Sequence, residues 1–589
     1  MRPTRQHPVV DRAEDGSRVS APAEGRRPRA VLEAYVPIIG WLPRYRREWL
    51  RHDVVAALSV WALLIPQGIA YASIAGVPAQ YGLYAGVGSA IGYALFATAP
   101  QVVTGPSAAI AAVSASVIAF WAATGTPEWI SYTATLAVSA GVIYVLLGWL
   151  RMGWVANFLS GAVLSGFTFG FGVGLIVDQT PKILGVPKAA GSYFDVLVGI
   201  LGSLSEINPI TLVVGATGLA IVLVLRRLAP LLPRTFIVVV LGIVASSMLG
   251  LGERGVSIVG PIPTGLPEIE WPALPGIGVV DLVLASLAII FIGYSESLAA
   301  AKAQGAKHDY DIDASQEMVA QGMANVASGI VGGFAVEGSL SKTAVADQAG
   351  QRTQLASLLT GGLILLTILF LAGFFEALPQ AILGAVVIDA GISLVKVEDL
   401  RRYRLNRRDF AAFGSTALAV FFVGVLVGVV AGVVVSLLLL IAVASRTPTR
   451  LMAFDREEDA YVHAERHPDA ELLPGIVVAA IHGPLFFADA DDFYRSVRAM
   501  LRQQRPHSVV IDMSAVVMMD MDGDRMIAKV ATELGQRGVH VLLVRPGRDN
   551  LDLMRRTGTF ELIGAANVFS TVRSAVAAAQ AQDMSRPGD

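Results

Sequence analysis

Between residues 54 and 445 the chain is an almost continuous series of apolar runs, each separated from the next by a few polar residues. They lie near 54–72, 83–98, 106–123, 132–150, 156–177, 209–226, 235–251, 281–301, 315–331, 339–350, 354–375, 380–397, 409–426 and 428–445. That makes about fourteen segments at or near membrane-spanning length. A shorter apolar run at 192–204 reads as interfacial. In lipid every backbone N–H and C=O needs a partner within the chain, so runs like these are helices. The expected fold class is therefore an α-helical polytopic membrane protein. Composition agrees, with 54% hydrophobic and only 16% charged residues, outside the soluble range. The first apolar run starts after residue 50 and has no small-residue cleavage site, so no secretory signal peptide is expected.

Basic residues set the orientation. Arg151 follows segment 4, Arg226, Arg227 and Arg234 follow segment 6, and Lys302 and Lys307 follow segment 8. Arg401, Arg402, Arg404, Arg407 and Arg408 follow segment 12, and Arg446 and Arg450 follow segment 14. Lys182, Lys188 and Arg254 are the few on the other side. Both termini are thus expected in the cytoplasm, with the chain in the cell's inner (plasma) membrane. Residues 1–30 read as a disordered tail, 31–53 as a basic interfacial lead-in and 54–446 as the transmembrane domain. Past Arg450 short β-rich runs at 476–481, 508–513 and 539–544 alternate with helical stretches near 488–505, 523–537 and 548–557. A last helix is expected at 570–579. This predicts a cytoplasmic α/β domain over 447–582 with a short tail at 583–589.

Two segments are interrupted in a way that regular spans are not. Residues 331–345, VGGFAVEGSLSKTAV, are too rich in Gly, Ser and charge for a lipid-facing helix. Irregular backbone at that depth survives only where protein buries it or where it lines a cavity. A short helix opening after Gly338 would leave the amides around Ser339, Leu340 and Ser341 without intrahelical partners, with Lys342 one turn in. Free N–H groups and a positive helix end suit an anion. Residues 101–113, QVVTGPSAAIAAV, repeat the theme, with Gly105-Pro106 before Ser107. Val103-Thr104-Gly105 and Val336-Glu337-Gly338 are a faint echo, spaced as two repeats of seven segments require. Paired broken helices point to a transporter site. Ordinary Gly/Pro breaks between spans are the alternative.

Segment 1 carries Pro66 and, one turn apart on one face, Gln67 and Tyr71. The Gln amide faces the bundle interior either as a neutral donor to a substrate or as interhelical glue. Segment 8 holds Glu296 deep within an apolar run. A carboxylate is costly to keep charged there, so it can load and release a proton, or it can pair structurally with Lys342. Glu337 and Asp389 also sit at or inside spans, while Asp178 and Glu376 lie near segment ends where water is at hand. With no cysteine, and eight scattered histidines that converge with no Ser, Glu or Asp, neither a metal site, a cofactor nor an enzyme is expected. The formal net charge of -2 argues against a nucleic-acid partner.

These motifs resemble the SulP family of sulfate permease and solute carrier 26 anion transporters. The resemblance covers roughly residues 40–580 and rests on IPQGIAYASIAG at 65–76 with GLYAG at 82–86, TGPSAA at 104–109, SESLAAAKA at 295–303, and the long run at 325–355. The tail resembles a STAS domain through GPLFFADADDF at 483–493 and VVIDMSAV at 509–516 followed by DMDG at 520–523. The resemblance implies seven-plus-seven inverted repeats, with a core of segments 1–4 and 8–11 moving as an elevator against a gate of segments 5–7 and 12–14. It also implies homodimers, and an anion held at Gln67, Ser107, Ala108, Ser339, Leu340 and Ser341.

This chain departs from the family pattern in three places. The usual Arg after the segment 10 start is Lys342, which keeps the charge and loses the bidentate fork. Sodium-coupled bicarbonate members have hydroxyl ligands where this chain has Ala300 and Leu340, which favours coupling to protons through Glu296. Asp522 stands where related STAS domains carry a phosphorylatable Ser or Thr. The function implied is proton-coupled uptake of a small inorganic anion, sulfate first, with bicarbonate or a C4-dicarboxylate as alternatives and a channel-like leak or nucleobase uptake behind them. A membrane-anchored signalling protein, whose STAS domain binds a cytoplasmic partner, is the reading from another class.

Overall fold

The structure, a computed structural model, describes Glu33, residues 35–154, 160–229, 232–267, Ile269, residues 276–444 and 449–584. The tails expected at 1–30 and, beyond Met584, at the C-terminus lie outside the described residues. The chain divides into two compact units, residues 1–436 and 437–589.

Each of the fourteen apolar segments forms a helix in the first unit or across its end. They are α1 Leu50–Ala75, α2 Ala79–Phe96, α3 Ala108–Ile118, α4 Pro127–Trp149, α5 Gly161–Leu184, α6 Pro209–Leu228 and α7 Arg234–Leu249, then α8 Val279–His308, α9 Ala314–Ile330, α10 Leu340–Gln348, α11 Leu355–Leu366, α12 Gln380–Leu394, α13 Arg407–Phe422 and α14 Val425–Ala444. A short helix, Tyr193–Gly202, occupies the run read as interfacial. By length and composition seven helices among the described residues can cross a membrane. α3 and α10 are the short ones expected from the broken segments. The first helix starts at Leu50, ahead of the expected boundary, and takes Asp53 with it into the interior.

Close packing by small residues organises these helices. α9 lies between α2 and α4. A Cβ on Gly92 would fall 2.4 Å from Met323 O, and one on Gly141 would fall 2.6 Å from Val326 N, so neither approach admits a side chain. In lipid such contacts replace the hydrophobic drive that water supplies elsewhere. One group of packed helices comprises α1–α4 with α8–α11, and another α5–α7 with α12 and α13; α1 also touches α7 and α12.

Buried polar groups then fix the irregular stretches. Asp53 Oδ1 accepts from Arg352 N (2.8 Å) and Thr353 N (3.1 Å), and its Oδ2 from Thr353 Oγ1 (2.7 Å). Glu317 accepts from Tyr93 Oη (2.6 Å), Thr98 N (2.8 Å), Thr98 Oγ1 (2.5 Å) and Ala99 N (2.9 Å). The Glu317 bonds hold the chain that leads into the break before α3, and the Asp53 bonds hold the turn between α10 and α11.

The second unit contains a six-stranded sheet: β3 Thr449–Asp455, β4 Ala460–His463, β5 Ile476–Ile481, β6 Ser508–Asp512, β7 His540–Val544 and β8 Val568–Phe569, in the order β4-β3-β5-β6-β7-β8. β5 to β8 are parallel, and β3 runs antiparallel to both β5 and its hairpin partner β4. Helices α15 Ala490–Gln504, α16 Met521–Gly535 and α17 Arg548–Thr557 serve one face, and α18 Val572–Met584 the other. Strands covered on both faces need continuous apolar runs, which is why IVVAAI and its parallel neighbours were readable. The hairpin was not expected, because residues 449–463 mix charges with too few β-formers to stand out.

Candidate functional site

The two sequence breaks meet. Two short strands precede α3 and α10, β1 Thr104–Gly105 and β2 Glu337–Gly338. They pair antiparallel, Thr104 opposite Gly338 and Gly105 opposite Glu337. Ser339 N donates to Val103 O at 3.1 Å, which extends the pairing. The N-termini of α3 and α10 are thereby brought to one place.

A polar stripe on α9 braces the pair. Gln321 Nε2 and Asn325 Nδ2 donate to Val336 O at 2.8 and 2.9 Å, and Val336 N returns a bond to Asn325 Oδ1 at 2.9 Å. Ser297 Oγ accepts from Gly338 N at 2.8 Å, and Thr343 Oγ1 from Val103 N at 3.0 Å. Sequence reasoning did not single out Glu317, Gln321 or Asn325. The signal was there, since polar residues four apart on an otherwise apolar helix share one face.

A cavity of about 780 Å³ reaches this junction. Gln67, Tyr71, Ser107, Ala108, Glu296, Glu337, Ser339, Leu340 and Ser341 all line it. Its other walls include Val55 and Ser59 near the start of α1, Ser165 near the start of α5, and Lys396 and Asp399 after α12. It therefore opens at the end of the bundle where α1 begins. Toward the opposite end Lys182 Nζ of α5 donates to Ser73 Oγ of α1 at 2.9 Å.

Each helix end at the junction faces a carboxyl group from the chain itself. Ser107 caps α3, accepting from Ile110 N at 3.2 Å and donating to Glu337 Oε1. The Glu296 carboxyl faces both the Leu340 N–H at the start of α10 and the Glu337 carboxyl. Glu337 is 1% exposed and its Oε2 has no hydrogen-bond partner among the described residues.

Lys342 behaves differently from the expectation that its charge looks into the site. It is buried, does not line the cavity, and donates from Nζ to Gly105 O (3.1 Å) and Pro106 O (2.6 Å). The strand pairing places those two carbonyls within its reach, and two carbonyl bonds satisfy it. The structural ion pair with Glu296 is therefore not the arrangement seen. Across the cavity Asp389 accepts from Arg226 Nη1 (3.2 Å) and Arg234 Nε (3.1 Å), one carboxylate against two guanidinium groups. Asp178, expected near water, pairs with Lys188 at 2.6 Å. In the second unit Asp522 lies beyond the Asp520 N-cap of α16, its carboxylate 3.3 Å from Arg525.

The family profile described as the sulfate permease family matches residues 50–416, and the STAS domain profile matches 467–575. The chain belongs to the sulfate permease family. A probable sulfate transporter of Mycobacterium tuberculosis (strain H37Rv) is 32% identical over 552 residues, covering 92% of this chain and 98% of that protein. The solved structure of the murine solute carrier 26 family member A9 anion transporter, in the inward-facing state, superposes with a TM-score of 0.87 at 26% identity, covering 98% of this chain and all of that one. The transmembrane domain of a cyanobacterial bicarbonate transporter, 22% identical, shares the fold with a TM-score of 0.58 over 67% of this chain and 98% of its own. The fold is that of a helical multi-pass membrane transporter with a C-terminal STAS domain.

Proposed function

We propose that this protein is a secondary active transporter of a small inorganic anion, sulfate in the first place, driven by protons and working by alternating access. The observation that carries the reading is the junction of α3 and α10, where two helix N-termini converge at the inner end of one cavity. Helix ends of this kind offer N–H groups and a positive dipole to anionic oxygens without exposing a full charge. Gln67 and Tyr71 add neutral donors from α1, and Ser107, Ser339 and Ser341 add hydroxyls. The excess guanidinium charge around Asp389, together with Lys396, makes the approach attractive to anions.

Glu296 is the proton carrier in this reading, because it reaches the Leu340 N–H that an anion would also seek. With both termini in the cytoplasm, the cavity opens inward, and the helices of the α1–α4 and α8–α11 group carry the site across against α5–α7 and α12–α14. The 32%-identical relative named as a probable sulfate transporter supports sulfate over bicarbonate or a dicarboxylate. Purified protein in liposomes decides it. An inward proton gradient is expected to drive radiolabelled sulfate above equilibrium, with an uncoupler abolishing the effect and Glu296→Gln reducing it. Sulfate that only equilibrates, with or without the gradient, contradicts the reading.

A further inference from the structure

The stretch that leads into α1 carries more positive charge than the protein around it answers. It runs as one turn of helix, Ile38–Trp41, then two 3-10 turns, Leu42–Arg44 and Arg47–Trp49, and passes into α1 at Leu50. Residues 42–51 hold four arginines against one acid, Glu48. Arg44 lies 4.0 Å from Glu33. Arg46, Arg47 and Arg51 are exposed, and no carboxylate among the described residues pairs with them. Tertiary structure brings a further arginine to the same place. Asp53, two residues past Arg51, accepts from Arg352 N at 2.8 Å, and a Cβ on Gly350 would lie 3.3 Å from the His52 ring. Arg352 is exposed and likewise has no acidic partner among the described residues.

Apolar groups stand among these charges. Leu42 and Leu50 are each 46% exposed, and the Arg46 guanidinium lies over the Trp49 ring at 5.5 Å. The Trp41 indole N–H is buried and has no partner among the described residues. All this precedes or opens a helix long and apolar enough to cross a membrane, Arg47–Ala75. A small anion in water would answer the arginines and leave the leucines bare. A neutral bilayer surface would do the reverse. One ligand class answers both, a lipid with acyl chains and a negatively charged phosphate headgroup. Guanidinium groups suit phosphate because their N–H pairs match two of its oxygens.

We propose that residues 42–51, together with Arg352, form a binding site for an anionic glycerophospholipid of the leaflet beside which α1 begins. Arg46, Arg47, Arg51 and Arg352 take the headgroup, and Leu42 and Leu50 meet the acyl chains. Occupancy is felt at the turn after α10 through Asp53. Tyr45 Oη of the lead-in donates to Asp53 Oδ2 at 3.1 Å, and Thr353 Oγ1 of the turn donates to the same oxygen at 2.7 Å. A phosphate shared by Arg51 and Arg352 ties the same two segments from outside. The lipid therefore steadies the turn that ends α10, the helix whose start stands at the cavity junction. The site stands whichever anion is carried and whichever ion drives it.

The test is binding of radiolabelled phosphatidylglycerol to the full-length protein in neutral detergent, with three competitors: unlabelled phosphatidylglycerol, phosphatidylcholine of the same chains, and sodium phosphate. Only the first is expected to compete. Each basic group close to an anionic lipid surface is worth roughly fivefold in binding. The triple variant Arg46→Gln, Arg47→Gln, Arg51→Gln is therefore expected to bind at least about tenfold more weakly. Arg352→Gln alone is expected to lose about fivefold, which keeps the proposal testable where the triple variant folds poorly. Replacing Arg401, Arg402 and Arg404 by Gln, an equally exposed basic cluster after α12, is expected to change little. Phosphatidylglycerol should also slow amide hydrogen exchange at residues 350–355 in the wild type and not in the triple variant. Equal competition by phosphatidylcholine or by phosphate overturns the lipid assignment. Equal losses in the two triple variants overturn the location, and binding with unchanged exchange at 350–355 overturns the link to α10.

Discussion

Glu317 and Glu337 are both buried glutamates, one bracing the chain that leads to the β1–β2 pair and the other within that pair, and they are built in opposite ways. Glu317, 5% exposed, accepts four hydrogen bonds, one from Tyr93 and three that fasten residues 98 and 99 to α9. Glu337, 1% exposed, keeps one hydroxyl partner, faces a second acid and leaves an oxygen without a partner. Glu317 is surrounded by donors, and its role ends with holding the chain. The difference separates a fastener from a moving part, although both residue types and depths are the same.

The comparison breaks most visibly at Glu317. Glu317→Ala orphans four donors in the interior, and a loss of about 3–5 kcal/mol is expected. The readout is a large drop in the unfolding temperature of the detergent-purified protein; an unchanged midpoint would mean that Glu317 is no fastener. Asp389 lies between the two cases, since its guanidinium partners are partly exposed. Asp389→Asn should cost about 1–2 kcal/mol after allowing for solvent screening. It should also tighten sulfate binding a few-fold by unmasking positive charge on the cavity wall. Isothermal titration checks this, and weakened binding would contradict it.

Glu337→Gln sharpens the contrast from the other side. Stability is expected to hold within about 1 kcal/mol or to improve, because replacing one of two facing acids removes no satisfied ion pair. A destabilisation as large as that of Glu317→Ala would place Glu337 among the fasteners.

The smallest effect belongs to the STAS unit, at a half-buried histidine. Burial lowers the pKa of His463 from its usual 6.5, helped by neighbouring His482 and Arg466. A group whose folded pKa is depressed binds its proton more readily when unfolded, so it costs stability increasingly as pH falls below about 6.5. His463→Gln should flatten the thermal stability of the full-length protein slightly between pH 6.5 and 5. A steeper fall in the variant would contradict the assignment.

Much of this was legible before the structure. Glu296 stood out because it lies deep in an apolar run whose other charge, Asp281, is at its edge, and Ser107, Ser339 and Ser341 stood out because glycine and proline broke two runs just before them. The β1–β2 pairing showed only as the echo of Val-Thr-Gly in Val-Glu-Gly, too short to prove a contact. The bracing stripe of Glu317, Gln321 and Asn325 had the right spacing, but its partners are backbone atoms of distant loops, which spacing does not reveal. The turn of Lys342 toward Gly105 and Pro106 was hidden for the same reason. Local pattern showed which residues were out of place in lipid, and only the tertiary contacts showed which of them were satisfied.

The central claim, that acids of the chain carry protons with the anion, is tested most directly by counting both at once. Sulfate added to protein-containing liposomes without any imposed gradient should carry protons inward, followed by an entrapped pH dye alongside radiolabelled sulfate. The account predicts protons entering together with the sulfate, and markedly fewer in Glu296→Gln. Sulfate entry with no accompanying acidification would contradict it.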